Sequence, residues 1–164
     1  VDERAVEPIT RILADHGVAV ENQANGLRRA SMACPSLPTC GLGLAESERF
    51  LPGLLDRIGS LLAEVGVPDE AIIIRMTGCP NGCVRPYMAE IGFVGRAPGK
   101  YQIYLGGNEA GTRLNRLYRD NVKDPEIIEV LRPVLARYAR ERGAVERFGD
   151  WVERVLWKES PAAA

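Results

Sequence analysis

Histidine is all but absent from this 164-residue chain, in which His16 stands alone. A single imidazole excludes the zinc hydrolases that need several, and leaves Ser-His-Asp chemistry almost no foothold. His16 falls in Asp15-His16-Gly17, at the end of a helical pattern, where a cation suits the helix dipole. Excess charge is also missing: 21 Lys and Arg against 22 Asp and Glu give a formal net charge of −1. A nucleic-acid binder would show a basic surplus, so no nucleic acid is expected as a partner. No apolar run approaches the roughly 20 residues that span a bilayer, so no membrane is expected either. Val1-Asp2-Glu3-Arg4 lacks the basic start and apolar core of a signal peptide. The expected location is cytoplasmic, with organelle targeting upstream left open because a chain opening on Val reads as processed or excised. Cysteine is scarce too, and four in a chain this long do not make a disulfide scaffold.

What is present reads as one α+β domain, with a hydrophobic share of 46% and a charged share of 26%. Residues 4–16 set Ala5, Ile9, Ile12 and Leu13 at helical spacing until Gly17 stops the run. The polar stretch 18–33 reads as a connector with an Asn25-Gly26 turn and a short strand around Leu27–Ala30. Residues 46–65 carry the clearest helix: Phe50, Leu51, Leu54, Leu55, Ile58, Leu61, Leu62 and Val65 share a face, with Pro52 in the first turns. Ile72–Met76 is a buried strand, and Ala89–Val94 and Tyr101–Leu105 form a hairpin through Ala97-Pro98-Gly99-Lys100. A flexible loop through Gly106, Gly107, Asn108 and Gly111 follows. Asp124 and Pro125 open a helix bent at Pro133, and a last helix carries Phe148, Trp151, Val152, Val155 and Leu156. The expectation is a mixed sheet of about five strands with packed helices. Residues 1–33 form a helix and connector, 34–157 the functional domain, and 158–164 a disordered tail.

The four cysteines fall in two loops rich in glycine and proline, Cys34 with Cys40 and Cys79 with Cys83. Four thiolates saturate an iron–sulfur cluster, a zinc ion or Cu(I). Free core cysteines would not be expected to gather in Gly/Pro loops, and local disulfides over such short intervals return little entropy. Zinc ribbons prefer two to four residues between ligands, and the first pair has five; spacing alone does not separate zinc from iron–sulfur. The surrounding chemistry favours iron–sulfur. Gly41, Gly78 and Gly82 let backbone N–H groups approach sulfur, and Arg28, Arg29, Arg75 and Arg85 flank the loops as counter-charges.

Ser31-Met32-Ala33-Cys34-Pro35-Ser36-Leu37-Pro38-Thr39-Cys40, followed by Thr77-Gly78-Cys79-Pro80-Asn81-Gly82-Cys83, resembles the sirohaem and 4Fe-4S signature of assimilatory sulfite reductases. Glu48-Arg49-Phe50-Leu51-Pro52, Ala89-Glu90-Ile91-Gly92, Val94-Gly95-Arg96-Ala97-Pro98-Gly99, Leu105-Gly106-Gly107-Asn108 and Phe148-Gly149-Asp150 extend the likeness, in family order, from about residue 4 to about 157. The resemblance implies the 4Fe-4S domain fold of sulfite and nitrite reductases. It implies that Cys34, Cys40, Cys79 and Cys83 ligate one 4Fe-4S cluster. Cys83 would also be the axial, bridging ligand of the sirohaem iron, with Asn81 beside that cofactor.

The implied reaction is six-electron reduction of sulfite to hydrogen sulfide, with nitrite reduction as the alternative within the family. The implied electron donor is ferredoxin or an NADPH-dependent flavoprotein. The family carries two homologous halves, and this chain resembles the C-terminal one. Its N-terminal half would then be a partner that supplies the basic substrate-binding residues, and no Arg or Lys here is assigned to catalysis. The isolated chain is expected to be inactive. From a different class, a structural module binding zinc through the four cysteines, or an inactive apo fragment, stays open.

Overall fold

Chain order and spatial order coincide in the sheet, which runs β1-β2-β3-β4-β5. The structure is a computed structural model and describes residues 2–18 and 24–159. Its strands are β1 (Met32–Ala33), β2 (Ile74–Thr77), β3 (Ile91–Ala97), β4 (Lys100–Leu105) and β5 (Arg116–Lys123). The first three are parallel and the last three antiparallel, giving the expected mixed sheet. The hairpin joining β3 to β4 closes with Ala97 paired to Lys100 and Gly99 at φ 64°.

The helices are α1 (Val6–Asp15), α2 (Gly26–Arg29), α3 (Leu51–Glu64), α4 (Ile127–Glu141), α5 (Phe148–Trp151) and α6 (Trp157–Glu159). α3 buries Leu51, Leu54, Leu55, Ile58, Leu61 and Leu62, the face expected from its period. Together with Leu131, Val134, Leu135 and Tyr138 of α4, they form one core against Ile74, Met76, Ile91, Phe93, Tyr101, Ile103 and Leu105. Each such aliphatic side chain contributes roughly 1.5–3 kcal/mol when fully buried.

Several expectations need correction. Residues Gly26–Arg29 are helical, not extended, because the Asn25 side chain caps the Arg28 N–H at 2.9 Å; the strand comes later, at Met32–Ala33. The helix expected to open at Asp124 begins as a 3-10 turn, Asp124–Glu126, with Lys123 as the N-cap residue. α1 is helical as expected and His16 caps its C-terminus, yet it buries no residue, and Val6, Ile9 and Ile12 are exposed. The last helix is interrupted by a π turn, Val152–Leu156, and then continues to Glu159. Residues 160–164 of the expected tail, and 19–23 of the connector, lie outside the described residues.

A buried carboxylate ties the sheet to the C-terminal helices. Glu90, 1% exposed, accepts from the Ile73 N–H, the Gly149 N–H and the Arg147 guanidinium, each at 2.9 Å. One side chain thus joins the approach to β2, the start of β3 and the Phe148-Gly149-Asp150 turn. Glu90→Gln keeps the shape but replaces one acceptor oxygen by a donor and leaves Arg147 only the longer pair with exposed Glu109, at 3.4 Å. The expected cost is about 1–3 kcal/mol, read as a lower denaturant midpoint with an unchanged slope. An unchanged midpoint would show that the clasp carries no net stability.

Candidate functional site

Two neighbouring parallel strands end side by side, with Ala33 of β1 paired to Met76 of β2. Cys34 is the residue after β1, and Cys79 lies two residues beyond β2. Both cysteine loops therefore leave the same end of the sheet. The Cys34 N–H continues the ladder to the Met76 carbonyl at 3.1 Å, and both Cys34 and Cys79 are buried. Cys40 is half-buried, Cys83 is exposed, and all four thiols are free.

Backbone contact knits the two loops together. The Leu44 and Ala45 N–H groups both donate to the Gly78 carbonyl, at 2.9 and 3.0 Å. The Gly78 N–H in turn points at Cys34 Sγ, 3.4 Å away. Ser36 Oγ donates to the Ala45 carbonyl at 2.6 Å, closing the first loop on itself. Gly78 is required by this approach: a Cβ there would lie 1.6 Å from Ser36 Oγ and 2.4 Å from the Ala45 carbonyl oxygen. Gly95 of β3 faces the same loop, and its Cβ would lie 2.4 Å from the Gly78 oxygen. Ser47, buried, donates to the Met76 carbonyl at 2.6 Å and fixes the chain between the first loop and α3.

Beyond Cys79 the chain turns through Gly82 at φ 67°, and the Arg85 N–H donates to the Gly82 carbonyl at 2.7 Å. Asn81, before that glycine, is exposed. Asn115, a buried residue that sequence pattern does not single out, holds the exit of the turn. Its amide nitrogen donates to the carbonyls of Pro86 and Ala89 at 2.7 and 2.9 Å.

The arginines divide. Arg28 pairs with Asp56 of α3 and Arg29 is exposed, so the structure gives neither a part in the loops. Arg75 donates to the Val84 carbonyl at 3.3 Å, next to Cys83. Burial, and secondarily the charge of Arg85, push its pKa down.

The donor chemistry fits thiolate ligation of a metal group. Cys34 and Cys79 are shielded from water, and a backbone N–H already faces one sulfur, the kind of donor that stabilises a thiolate ligand. A tetrahedral zinc site needs four sulfurs about 2.3 Å from one centre. Among the described residues no group of three or more His, Cys, Asp or Glu is placed to hold a metal ion, the four cysteines included. A cubane takes one thiolate at each of its four irons, so its four sulfurs surround one centre at a wider spacing than those of a single zinc ion.

Comparison with known proteins points the same way. The chain is 54% identical to the sulfite reductase (NADPH) hemoprotein beta-component of Staphylococcus carnosus (strain TM300) over 154 residues, covering 94% of this chain and 27% of that protein. It is equally similar to the protein of the same name from Chromohalobacter salexigens, with 94% and 26% covered. The chain thus spans about a quarter of the length of these curated relatives. The solved structure of the Mycobacterium tuberculosis NirA protein superposes with a TM-score of 0.72 at 25% identity, covering 94% of this chain and 30% of that one. The sequence model described as the nitrite and sulphite reductase 4Fe-4S domain matches residues 26–160, a span that contains both cysteine loops, the whole sheet and the clasp at Glu90. With fold, loops and matched span in agreement, the chain belongs to the nitrite and sulphite reductase 4Fe-4S domain family.

Proposed function

We propose that this chain is the cofactor-bearing domain of a sulfite reductase, with Cys34, Cys40, Cys79 and Cys83 holding one 4Fe-4S cluster. Cys83 additionally supplies the axial thiolate of a sirohaem iron, and Asn81 lies beside the tetrapyrrole. The carrying observation is the seam at Gly78, where the loops of both cysteine pairs are hydrogen-bonded to each other at one end of the sheet. When bound, the coupled cofactors supply electrons singly, which the six-electron reduction of sulfite to sulfide requires.

The chain's own residues divide the labour by exposure. Buried Cys34 and Cys79 keep their sulfurs from water and oxidants, and Gly78 supplies an N–H to the former. Exposed Cys83 is the thiolate with room for a second iron on its outer side. Sulfite is an anion and needs cationic donors over the open face of the iron. Those groups are assigned to the part of the complete protein outside residues 1–164, so this chain alone should not turn over. The NADPH in the relatives' names favours a flavoprotein donor over ferredoxin.

The test is elemental and spectroscopic. Chain prepared without oxygen should contain iron and acid-labile sulfide in equal amounts; zinc, or neither, would defeat the cluster assignment. In the complete reductase, Cys83→Ser should remove the magnetic coupling between cluster and sirohaem. An unchanged coupled spectrum in that variant would defeat the bridging role.

A further inference from the structure

We propose that Arg75 and Arg85 form a binding site for a carboxylate, on the sheet face beside the Cys83 turn. The two guanidiniums line one recess of about 170 Å³, together with Ile73, Met88, Asn108, Glu109, Ala110 and Gly111. Among the described residues neither arginine has an acidic partner within ion-pair distance. Most other arginines of the chain do: Arg28, Arg113, Arg116, Arg132, Arg142, Arg147 and Arg154 are all paired. Two like charges sharing one recess are unfavourable unless an anion joins them, and a half-buried guanidinium gains most from one.

The Arg75 cation and the Arg85 backbone are held in place. Arg75 is fixed by its strand position in β2 and by its bond to the Val84 carbonyl. Arg85 sits at φ 54°, its N–H on the Gly82 carbonyl and its carbonyl accepting from Met88, so its side chain leaves a rigid turn.

The rest of the lining leaves the anion's place open. The Asn108 amide is committed to Thr112 and Arg113. Glu109, 66% exposed, pairs with Arg147 at 3.4 Å, outside ion-pair range of either Arg75 or Arg85. Small-molecule pockets run about 300–1,000 Å³, so a recess of this size admits an acidic arm and not a whole macrocycle.

The shared chemistry is a carboxylate, and it has two sources: an acidic arm of the tetrapyrrole, or an Asp or Glu of the polypeptide outside residues 1–164. The first source rests on the function proposed above; the site itself does not.

Tricarballylate titrated calorimetrically into this chain at low ionic strength should bind saturably at one site. Arg75→Gln and Arg85→Gln should each weaken that binding about tenfold or more, as loss of a charge-assisted pair does. Arg85→Lys should retain part of it, Glu109→Gln should strengthen it, and exposed Arg140→Gln should leave it unchanged. Absence of saturable binding, or equal binding by wild type, Arg75→Gln and Arg85→Gln, would overturn the site.

In the complete reductase, a lower sirohaem-to-sulfide ratio in Arg85→Gln identifies the tetrapyrrole as the source. An intact ratio with a lowered thermal midpoint identifies a protein carboxylate, and no change in either overturns the proposal. Wild-type protein lacking acid-labile sulfide would sink the cluster reading while leaving the tricarballylate result standing.

Discussion

Gly78→Ala is expected to dismantle the seam between the cysteine loops and leave a protein that retains no iron. The added methyl would sit 1.6 Å from Ser36 Oγ and 2.4 Å from the Ala45 carbonyl oxygen, distances no packed structure tolerates. Trimming Ser36 would not rescue it, since the second collision is with backbone. Relief requires residues 36–45 to move away from β2, which breaks the bonds from Leu44 and Ala45 to the Gly78 carbonyl and shifts the Gly78 N–H away from Cys34 Sγ. The stability cost should be about 3 kcal/mol or more, at the upper end for overpacking because the obstacles are not flexible side-chain ends. Denaturant melts and iron analysis on the same preparation check it. A variant with wild-type midpoint and full iron content would show that the loops are not joined as described.

Leu54→Asp is expected to unfold the chain. Leu54 is fully buried on the face of α3 that covers the sheet, and the buried polar residues among those described include no Lys or Arg. A carboxylate there would either stay ionised without a partner or take up a proton at neutral pH. Either way the cost is about 4 kcal/mol or more, against a total of about 5–15 for a domain. Leu54→Ala, expected to cost about 2–5 kcal/mol, keeps the comparison measurable if the aspartate variant cannot be purified. A near-wild-type midpoint for Leu54→Asp would mean that α3 does not pack through this face.

The parts of the fold legible in sequence are those where one face does all the burying. α3 repeats Leu and Ile at helical spacing because its partner is a flat sheet, and β4 alternates buried and half-buried residues because one side of it meets the core. β5 is not legible in this way. As an edge strand it buries only Val122, and its Arg-Leu-Tyr-Arg-Asp-Asn run carries no apolar period. The 26–29 helix reads as extended because Asn25-Gly26 signals a turn equally well, and only the cap bond to Arg28 separates the two.

The candidate site shows the same division. Cysteine spacing and flanking glycines are local, so the loops stand out. Ser36, Ser47, Glu90, Asn115 and Gly95 act through partners that no window along the chain brings together: Glu90 reaches Arg147 and Gly149, and Asn115 reaches Pro86 and Ala89. Arg75 and Arg85 read in sequence as flanking charges, but only the third dimension puts both in one recess, whose one acid, Glu109, pairs with Arg147 instead.

The Gly78 peptide, accepting two hydrogen bonds through its oxygen and offering its N–H to a sulfur, has a consequence for electron flow. One-electron steps are fast when the atoms around the redox centre barely move between oxidised and reduced states. Here the cysteine loops are hydrogen-bonded to each other and packed closely against Gly95 of the central strand, so a change of charge on the proposed cluster would meet a frame with little freedom to relax. In the reductase proposed above, such a frame would lower the reorganisation cost of each one-electron step, and over six electrons that saving would recur six times.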